Sequence, residues 1–278
     1  MERRILVLVT KLERGDELIA VSKRLAKRLD AGVTLLYVKE ERLFELPIYE
    51  GKEQDLETAR EELQKALEKA GCGDWALLLA DNDIADHALL ESEREHSVLI
   101  ISDEHEELGD LLHRSERPLY RVKSGAIHEI GEILMAVDVA GSPESCLNWA
   151  QELFPGAKIR CYMDYQFLPD ADEALIDPFL GTVTVDTVEA DMEVMEARKK
   201  SFERFCREQN LEGTFAVGEK GLEEDILDQV DLHGCHLLLL SVEDSDTLLG
   251  DAARHLIEKS PVDTLVCYNA PMLKEKTE

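Results

Sequence analysis

Positive charge is scarce in this chain: 31 Lys and Arg stand against 60 Asp and Glu, a formal net charge of −29. A surface so acidic repels a phosphate backbone, so nucleic-acid binding would need a local basic patch. The densest basic stretch, Arg198-Lys199-Lys200, lies among acidic residues on a predicted helix and does not supply one. Long apolar runs are missing too. None approaches the roughly 20 residues that span a bilayer, so no membrane partner is expected. The first residues, Met1-Glu2-Arg3-Arg4-Ile5, enter an apolar strand at once, without an h-region or cleavage site. The expected compartment is the cytoplasm. The six cysteines form no CxxC pair and lie in apolar settings, which reads as buried, reduced thiols. GxSxG, GxxxxGK[ST] and HExxH are all absent, so the common hydrolase, NTPase and metalloprotease templates fail and no catalytic residue is assigned. The apolar share, 44%, still suffices for a sizeable core and excludes an acidic disordered chain.

What is present is one unit written twice. Ile5-Leu6-Val7-Leu8-Val9-Thr10 is matched by Ile133-Leu134-Met135-Ala136-Val137-Asp138, both continuous apolar runs of the kind found in buried parallel strands. In the same order, Val33–Val38 matches Lys158–Met163, Trp75–Leu79 matches Thr214–Val217, Ser97–Ser102 matches Leu237–Ser241, and Pro118–Val122 matches Pro261–Val266. Helical stripes lie between them: Leu18, Val21, Leu25 and Leu29; Leu56, Ala59, Leu63, Ala66 and Leu67; then Val188, Met192, Met195, Phe202 and Phe205. Ser142 and Pro143 open a helix as N-cap and first residue, and Gly71 and Gly213 are expected to end the long helices. Strands alternating with helices predict right-handed βαβ units and a parallel sheet in each half. Lys123–Gly131 reads as the linker, giving domains at about 1–125 and 130–270.

These residues resemble the tandem universal stress proteins, and the UspE type most. The resemblance is carried by Ile133–Asp138 with Gly141-Ser142, by Val217–Glu224, by Gly250–Ala253 through Asp263–Val266, and by Ala31–Val38 in the first half. It implies an α/β chain: two Rossmann-like domains in tandem, each a five-stranded parallel sheet of flavodoxin-like order, packed as an internal pseudo-dimer through their fifth strands. The ligand crevice of such sheets lies at the strand C-termini, beside the switch point. Members that bind ATP resemble one another in a G-x2-G-x9-G-[S/T] motif after the fourth strand.

That motif is degraded here. In the second half Ser241 stands at the first glycine, Asp244 at the second, and only residues 245–249 precede Gly250, with Asp251 at the Ser/Thr position. A phosphate cradle needs bare backbone amides and a hydroxyl. Glu243, Asp244, Asp246 and Asp251 offer carboxylates instead, each opposing a phosphate by about 1 kcal/mol in water. The first half, Ser102–Asp110, is further degraded, and Thr10 replaces the adenine-contacting Asp138. Any surviving crevice therefore combines Asp138, Met163, Ser241, Gly250 and Asp251, with no cofactor expected and ATP disfavoured. The first half reads as structural, or adapted to another ligand.

Three clusters admit a metal reading and are given the plainer one. Asp81, Asn82, Asp83, Asp86 and His87 read as a solvated turn with Asp83 capping the next helix; His105 and His113, near Asp103 and Asp110, as surface histidines; His233-Gly234-Cys235-His236 as a buried cysteine between exposed histidines. Met192, Val194 and Met195 read as core. The apolar segments Glu40–Glu53 and Tyr165–Asp186 read as interface or core lining, with a ligand lid as the alternative. The expected function is non-catalytic stress response through ligand sensing or protein association, with homodimerisation and a protein or small-molecule partner. The alternatives are an ATP- or AMP-dependent switch, and a carrier of a non-nucleotide small molecule, both in the second crevice.

Overall fold

The computed structural model describes residues 3–39, 56–105, 107–115, 117–137, 143–166, 185–218, 220–242 and 248–268. The first half alternates β1 (Arg3–Val9), a 3-10 turn at Leu12–Arg14, α1 (Gly15–Leu29), β2 (Ala31–Lys39), α2 (Leu56–Ala70), β3 (Ala76–Asp81), α3 (Ile84–Arg94), β4 (Ser97–Ser102), α4 (Leu108–Arg114) and β5 (Leu119–Arg121). The second repeats the pattern with β6 (Glu132–Val137), α5 (Pro143–Leu153), β7 (Lys158–Tyr165), α6 (Val185–Glu208), β8 (Glu212–Val217), α7 (Leu222–Leu232), β9 (Leu237–Val242), α8 (Leu248–Lys259) and β10 (Asp263–Tyr268). All ten strands join one sheet in the order β3-β2-β1-β4-β5-β10-β9-β6-β7-β8.

Each half is Rossmann-like, with its own strands in the order 3-2-1-4-5. That corrects the expected flavodoxin-like order, which would run 2-1-3-4-5. The third strands lie at the two sheet edges, each with a single neighbour, so β3 and β8 are at most half-buried while β4 and β9 are enclosed. Strand pairing is parallel within each half. Where the halves meet, β5 and β10 pair antiparallel, Arg121 opposite Thr264, Tyr120 opposite Leu265 and Leu119 opposite Val266. Continuous apolar strands are what such an architecture requires, because helices cover both faces. Ile5, Val7 and Val9 point to the face carrying α1, α2 and α5, whereas Leu6 and Leu8 point to the face carrying α3, α4 and α8. On the first face α1 packs against α5, and on the second α4 packs against α8, so both core layers run across the junction.

The junction also carries a polar seam. The guanidinium of Arg121, wholly buried, donates to the Ser260 carbonyl at 2.9 Å, the Val262 carbonyl at 2.5 Å and Thr264 Oγ1 at 3.2 Å. Tyr120 donates its hydroxyl to Asp263 at 2.6 Å, and the same carboxylate accepts the Lys123 amide at 2.8 Å. From the linker, His128 bridges Asp263 and Glu17, each at 2.8 Å. The hydrogen bond to Asp263 raises the His128 pKa against the opposing effect of burial, and that to Glu17 adds to it.

Three local expectations need correction. Gly213 does not end α6; it lies within β8, and the left-handed C-terminal residue is Asn210, φ 54°, with the Leu211 amide returning to the Cys206 carbonyl. Gly71, φ 67°, does end α2, the Cys72 amide returning to Leu67. Met192 and Val194 are not core: they are 51% and 47% exposed, because a 24-residue helix outruns the six-residue strand β8 beneath it. Among the described side chains of α6, those that enter the core are Phe202, Phe205 and Cys206. Asp83 occupies the N-cap position of α3 but makes no capping hydrogen bond; Glu107 accepts the Ala85 amide instead, at 2.8 Å. Beyond their ends, the long segments after β2 and β7 lie outside the described residues.

Candidate functional site at the strand C-termini

In each half the chain leaves the first strand in one direction for the second and returns on its other side for the fourth. This places the switch points between β1 and β4 and between β6 and β9. At the second, Ser241 lies opposite Val137. Met163 follows Tyr162, the partner of Ala136, and so flanks Val137 from the other side. Both side chains are buried. Cys146 of α5 lies over the same strand ends, its Sγ 3.5 Å from the Leu240 carbonyl, and its thiol meets Cys267 and the Ser241 hydroxyl. Gly250 and Asp251 belong to α8, the helix after β9. Asp138 lies outside the described residues, as do Gly141, Ser142 and residues 243–247. Of the five candidates, Met163 and Ser241 are thus brought to one crevice wall.

The first switch point holds a carboxylate of the chain itself. Asp103, immediately after β4, is wholly buried and accepts the Thr10 hydroxyl at 2.9 Å, the Thr10 amide at 3.3 Å and the Lys11 amide at 3.1 Å. Burial pushes its pKa up to about 6, against these hydrogen bonds, which favour the charged form. By strand register Asp103 occupies the position of Ser241, and in sequence Thr10 matches Asp138. In sequence, the acid and the hydroxyl have therefore exchanged places between the two halves.

Next to Asp103, Glu104 gathers cations that are far apart in sequence. Its carboxylate lies 2.6 Å from Lys123, 3.4 Å from Arg121 and 4.0 Å from Arg14, and its carbonyl accepts the Lys11 ammonium at 2.9 Å. Lys11, Glu104, Arg121 and Lys123, with His105, Leu108 and Glu258, line a cavity of about 510 Å³. His105 is not a surface histidine. Its Nε2 meets Ser102 Oγ at 3.1 Å, and burial lowers its pKa to about 4. The sequence reading missed Arg14, Tyr120, Arg121 and His128. Only Arg121 carried a signal, a charged residue inside an otherwise apolar strand.

Among the described residues no group of three or more His, Cys, Asp or Glu converges as a metal site. Asp86 pairs with Arg114 at 2.5 Å, and His236 accepts the Gly131 amide at 3.2 Å beside the buried Cys235. No described helix is long and apolar enough to cross a membrane.

The geometry has counterparts among solved structures. The chain aligns with a universal stress protein from Archaeoglobus fulgidus at TM-score 0.59 and 16% identity, over 96% of both chains. The fold is that of a universal stress protein. A functionally unknown protein from Pseudomonas aeruginosa shares it, at TM-score 0.62 and 14% identity, over 96% of this chain and 92% of the other. No protein-family model matches the sequence, and no curated protein matches it. Within this universal stress protein fold, the first crevice is a closed polar network. Asp103 occupies the Thr10 and Lys11 amides just past β1, Glu107 an amide at the start of α3, and Glu104 the surrounding cations.

Proposed function

We propose that the chain is a tandem universal stress protein of the UspE-like kind, divided near residues 125–130, that acts in stress response without catalysis. On this reading the first domain is a structural partner and the second carries the ligand-sensing or protein-association role, in a cytoplasmic protein that forms homodimers.

The observation that carries this is Asp103. Backbone amides at a strand end are what a phosphate group would take. Here an internal carboxylate already holds those of Thr10 and Lys11, and a ligand phosphate would have to displace a buried, triply hydrogen-bonded group. Glu104 pairs with Arg14, Arg121 and Lys123, and Glu17 with Arg14, which offsets part of the attraction these cations would offer a phosphate. In the second domain Ser241 stands at the first glycine position of the family motif, with four acidic residues within 243–251. Without the glycines, no set of bare amides holds a triphosphate.

Calorimetric titration of the whole chain with ATP and Mg²⁺ is expected to give no binding tighter than about 100 μM, roughly −5.5 kcal/mol. A tighter constant that disappears in Asp138→Ala would replace this reading with a nucleotide switch in the second domain. Native mass spectrometry of freshly purified protein tests the remaining alternative. A co-purifying small molecule would make the second domain a carrier.

A further inference from the structure

Two cysteines from distant parts of the second half share a site that is built around a missing side chain. Cys161 lies on β7, directly opposite Gly213 on the edge strand β8. A Cβ placed on Gly213 would lie 2.5 Å from Cys206 Sγ and 3.0 Å from the Phe202 ring, both on α6. The Cys206 sulfur therefore occupies the space that the glycine leaves, beside the residue across from it, which brings the Cys161 and Cys206 thiols together. Both residues are buried, 2% and 7% exposed, yet Gly213 is itself exposed on the edge strand.

The first half shows what this site looks like without thiols. By strand register Cys161 corresponds to Leu35 and Gly213 to Leu77. By the shared hydrogen bond at the helix end, Cys206 corresponds to Leu67. Three leucines in an ordinary core layer stand where the second half has two sulfurs in contact and a bare strand. Neither fold nor stability requires that replacement, since the leucine version supports the same architecture in the same chain.

We propose that Cys161 and Cys206 are a two-electron redox pair, oxidised by a hydroperoxide to a disulfide that ties α6 to β7. The Cys206 sulfur attacks one peroxide oxygen, the O–O bond breaks, and hydroxide leaves to become water, which makes Cys206 a sulfenic acid. The Cys161 sulfur, giving up its proton, attacks the Cys206 sulfur, and the S–OH bond breaks with loss of a second water as the S–S bond forms. With hydrogen peroxide, two thiols and one peroxide give one disulfide and two waters, the thiols oxidised and the peroxide reduced. The order of events follows the environment. Contact with Cys161, which donates to it, lowers the Cys206 pKa, whereas contact with Cys206 and then burial raise that of Cys161. Cys206 is also the nearer to solvent. A second thiol contact, Cys146 with Cys267, is an internal control. There burial dominates and raises the Cys146 pKa.

The test is peptide mapping of the intact native chain after exposure to hydrogen peroxide, thiol blocking in denaturant and digestion with trypsin without reduction. The expected product is the tripeptide Phe205-Cys206-Arg207 joined to the peptide that begins at Cys161, released by dithiothreitol, with the other four cysteines still blocked as thiols. Cys206 should lose its thiol at least about tenfold faster than any of those four. Cys206 converted to sulfinic acid with Cys161 still free, or oxidation of Cys146 and Cys267 at the same rate, would overturn the pairing. In Cys161→Ser, a dimedone-type probe should trap the sulfenic acid on Cys206. Equal labelling of Cys161 in Cys206→Ser would overturn the assignment of Cys206 as the attacking thiol. The wild-type map decides the pairing even if either variant fails to fold.

Discussion

Among the described residues the two halves together hold ten strands and eight α-helices in matched order, yet each half places its polar and reactive chemistry differently. In the first half it is charge, gathered at the crevice and the junction: Asp103 on the Thr10 and Lys11 amides, Glu104 among four cations, and Tyr120 and Arg121 across the seam. In the second half Ser241, a neutral hydroxyl, matches Asp103, and the other matching positions are apolar or carry sulfur. Leu265 and Val266 stand where the first half has Tyr120 and Arg121, and Cys161 and Cys206 where it has Leu35 and Leu67. A repeat made only to fold would have no reason to differ at both sets. The difference teaches that the β5–β10 seam is specified from one side, by groups of the first half that reach carbonyls and a carboxylate of the second.

The sharpest way to break that view is Arg121→Met beside Val266→Ala. Methionine fills much of the space but takes the guanidinium from the Ser260 and Val262 carbonyls and Thr264, and one cation from Glu104. Removing one partner of a buried charged network costs about 3–5 kcal/mol. Val266→Ala, at the matching position of the second half, removes only methyl groups and should cost about 2 kcal/mol. Denaturant unfolding measures both. Equal losses would mean that the seam is held by apolar contact on both sides and that Arg121 is not its specifying group.

The next effect separates the two crevices by pH. Asp103 has a folded pKa of about 6 against an ordinary 3.8. Between those values the folded state holds more protons than the unfolded one. The stability from Asp103 is therefore fully present below pH 4 and is lost as pH rises through 6. The span corresponds to about 3 kcal/mol. Asp103→Asn has no such titration, so the stability gap between wild type and variant should shrink by about that amount from pH 4 to pH 7.5. At the matching position of the second half there is a hydroxyl, and Ser241→Ala should leave a gap that is flat across the same range. A flat gap for Asp103→Asn would mean that its carboxylate is not held as the structure has it.

Much of this was legible in the sequence, and what was not has a common physical reason. Apolar runs such as Ile5–Val9 and Leu237–Leu240 give strands because both faces are covered, and the order of five such runs twice over gives the repeat. Strand order was less legible. The residues of β3 and β4 are similarly apolar, and only burial distinguishes the edge strand from the central one. Helix ends were half legible: Gly71 was found because glycine is the usual left-handed residue, and Asn210 was missed because Gly213 is near it in sequence. The candidate site suffered most. Arg14, Arg121, Lys123 and Glu104 meet only after the strands are ordered, so no spacing could announce them. The Cys161–Cys206 contact depends on Gly213 having no side chain, a property of three segments together.

Gly213→Ala sharpens the comparison at that third point. The added methyl would lie within 2.5 Å of Cys206 Sγ and 3.0 Å of the Phe202 ring, so one or both must move, at about 1–3 kcal/mol. At the matching position, Leu77 already has a full side chain and its own space. Leu77→Ala should instead lose burial of a half-covered leucine, about 1–2 kcal/mol. Thermal unfolding gives the two losses. The distinguishing outcome is in the thiols, because displacing Cys206 should also slow its reaction with peroxide, which Leu77→Ala leaves untouched.

The smallest effect compares the two long helices where they stop. Gly71 and Asn210 hold the same left-handed conformation, φ 67° and 54°, with the next amide returning to the last turn in both cases. Glycine adopts this region without the Cβ penalty, and asparagine pays a part of it. Asn210→Gly should therefore stabilise the chain by about 0.5 kcal/mol, less the added freedom glycine gives the unfolded state. Gly71→Asn should destabilise by a similar amount. Its only close neighbour would be Lys23 Nζ, 3.7 Å from the new Cβ, an ordinary contact at the end of a flexible side chain. If both caps are equivalent, the double variant returns to wild-type stability within the error of a careful denaturant curve. A loss of several kcal/mol at Gly71 alone would show that the first helix end is constrained by something besides its backbone angle, and the two halves would then differ in their framework as well as in their side chains.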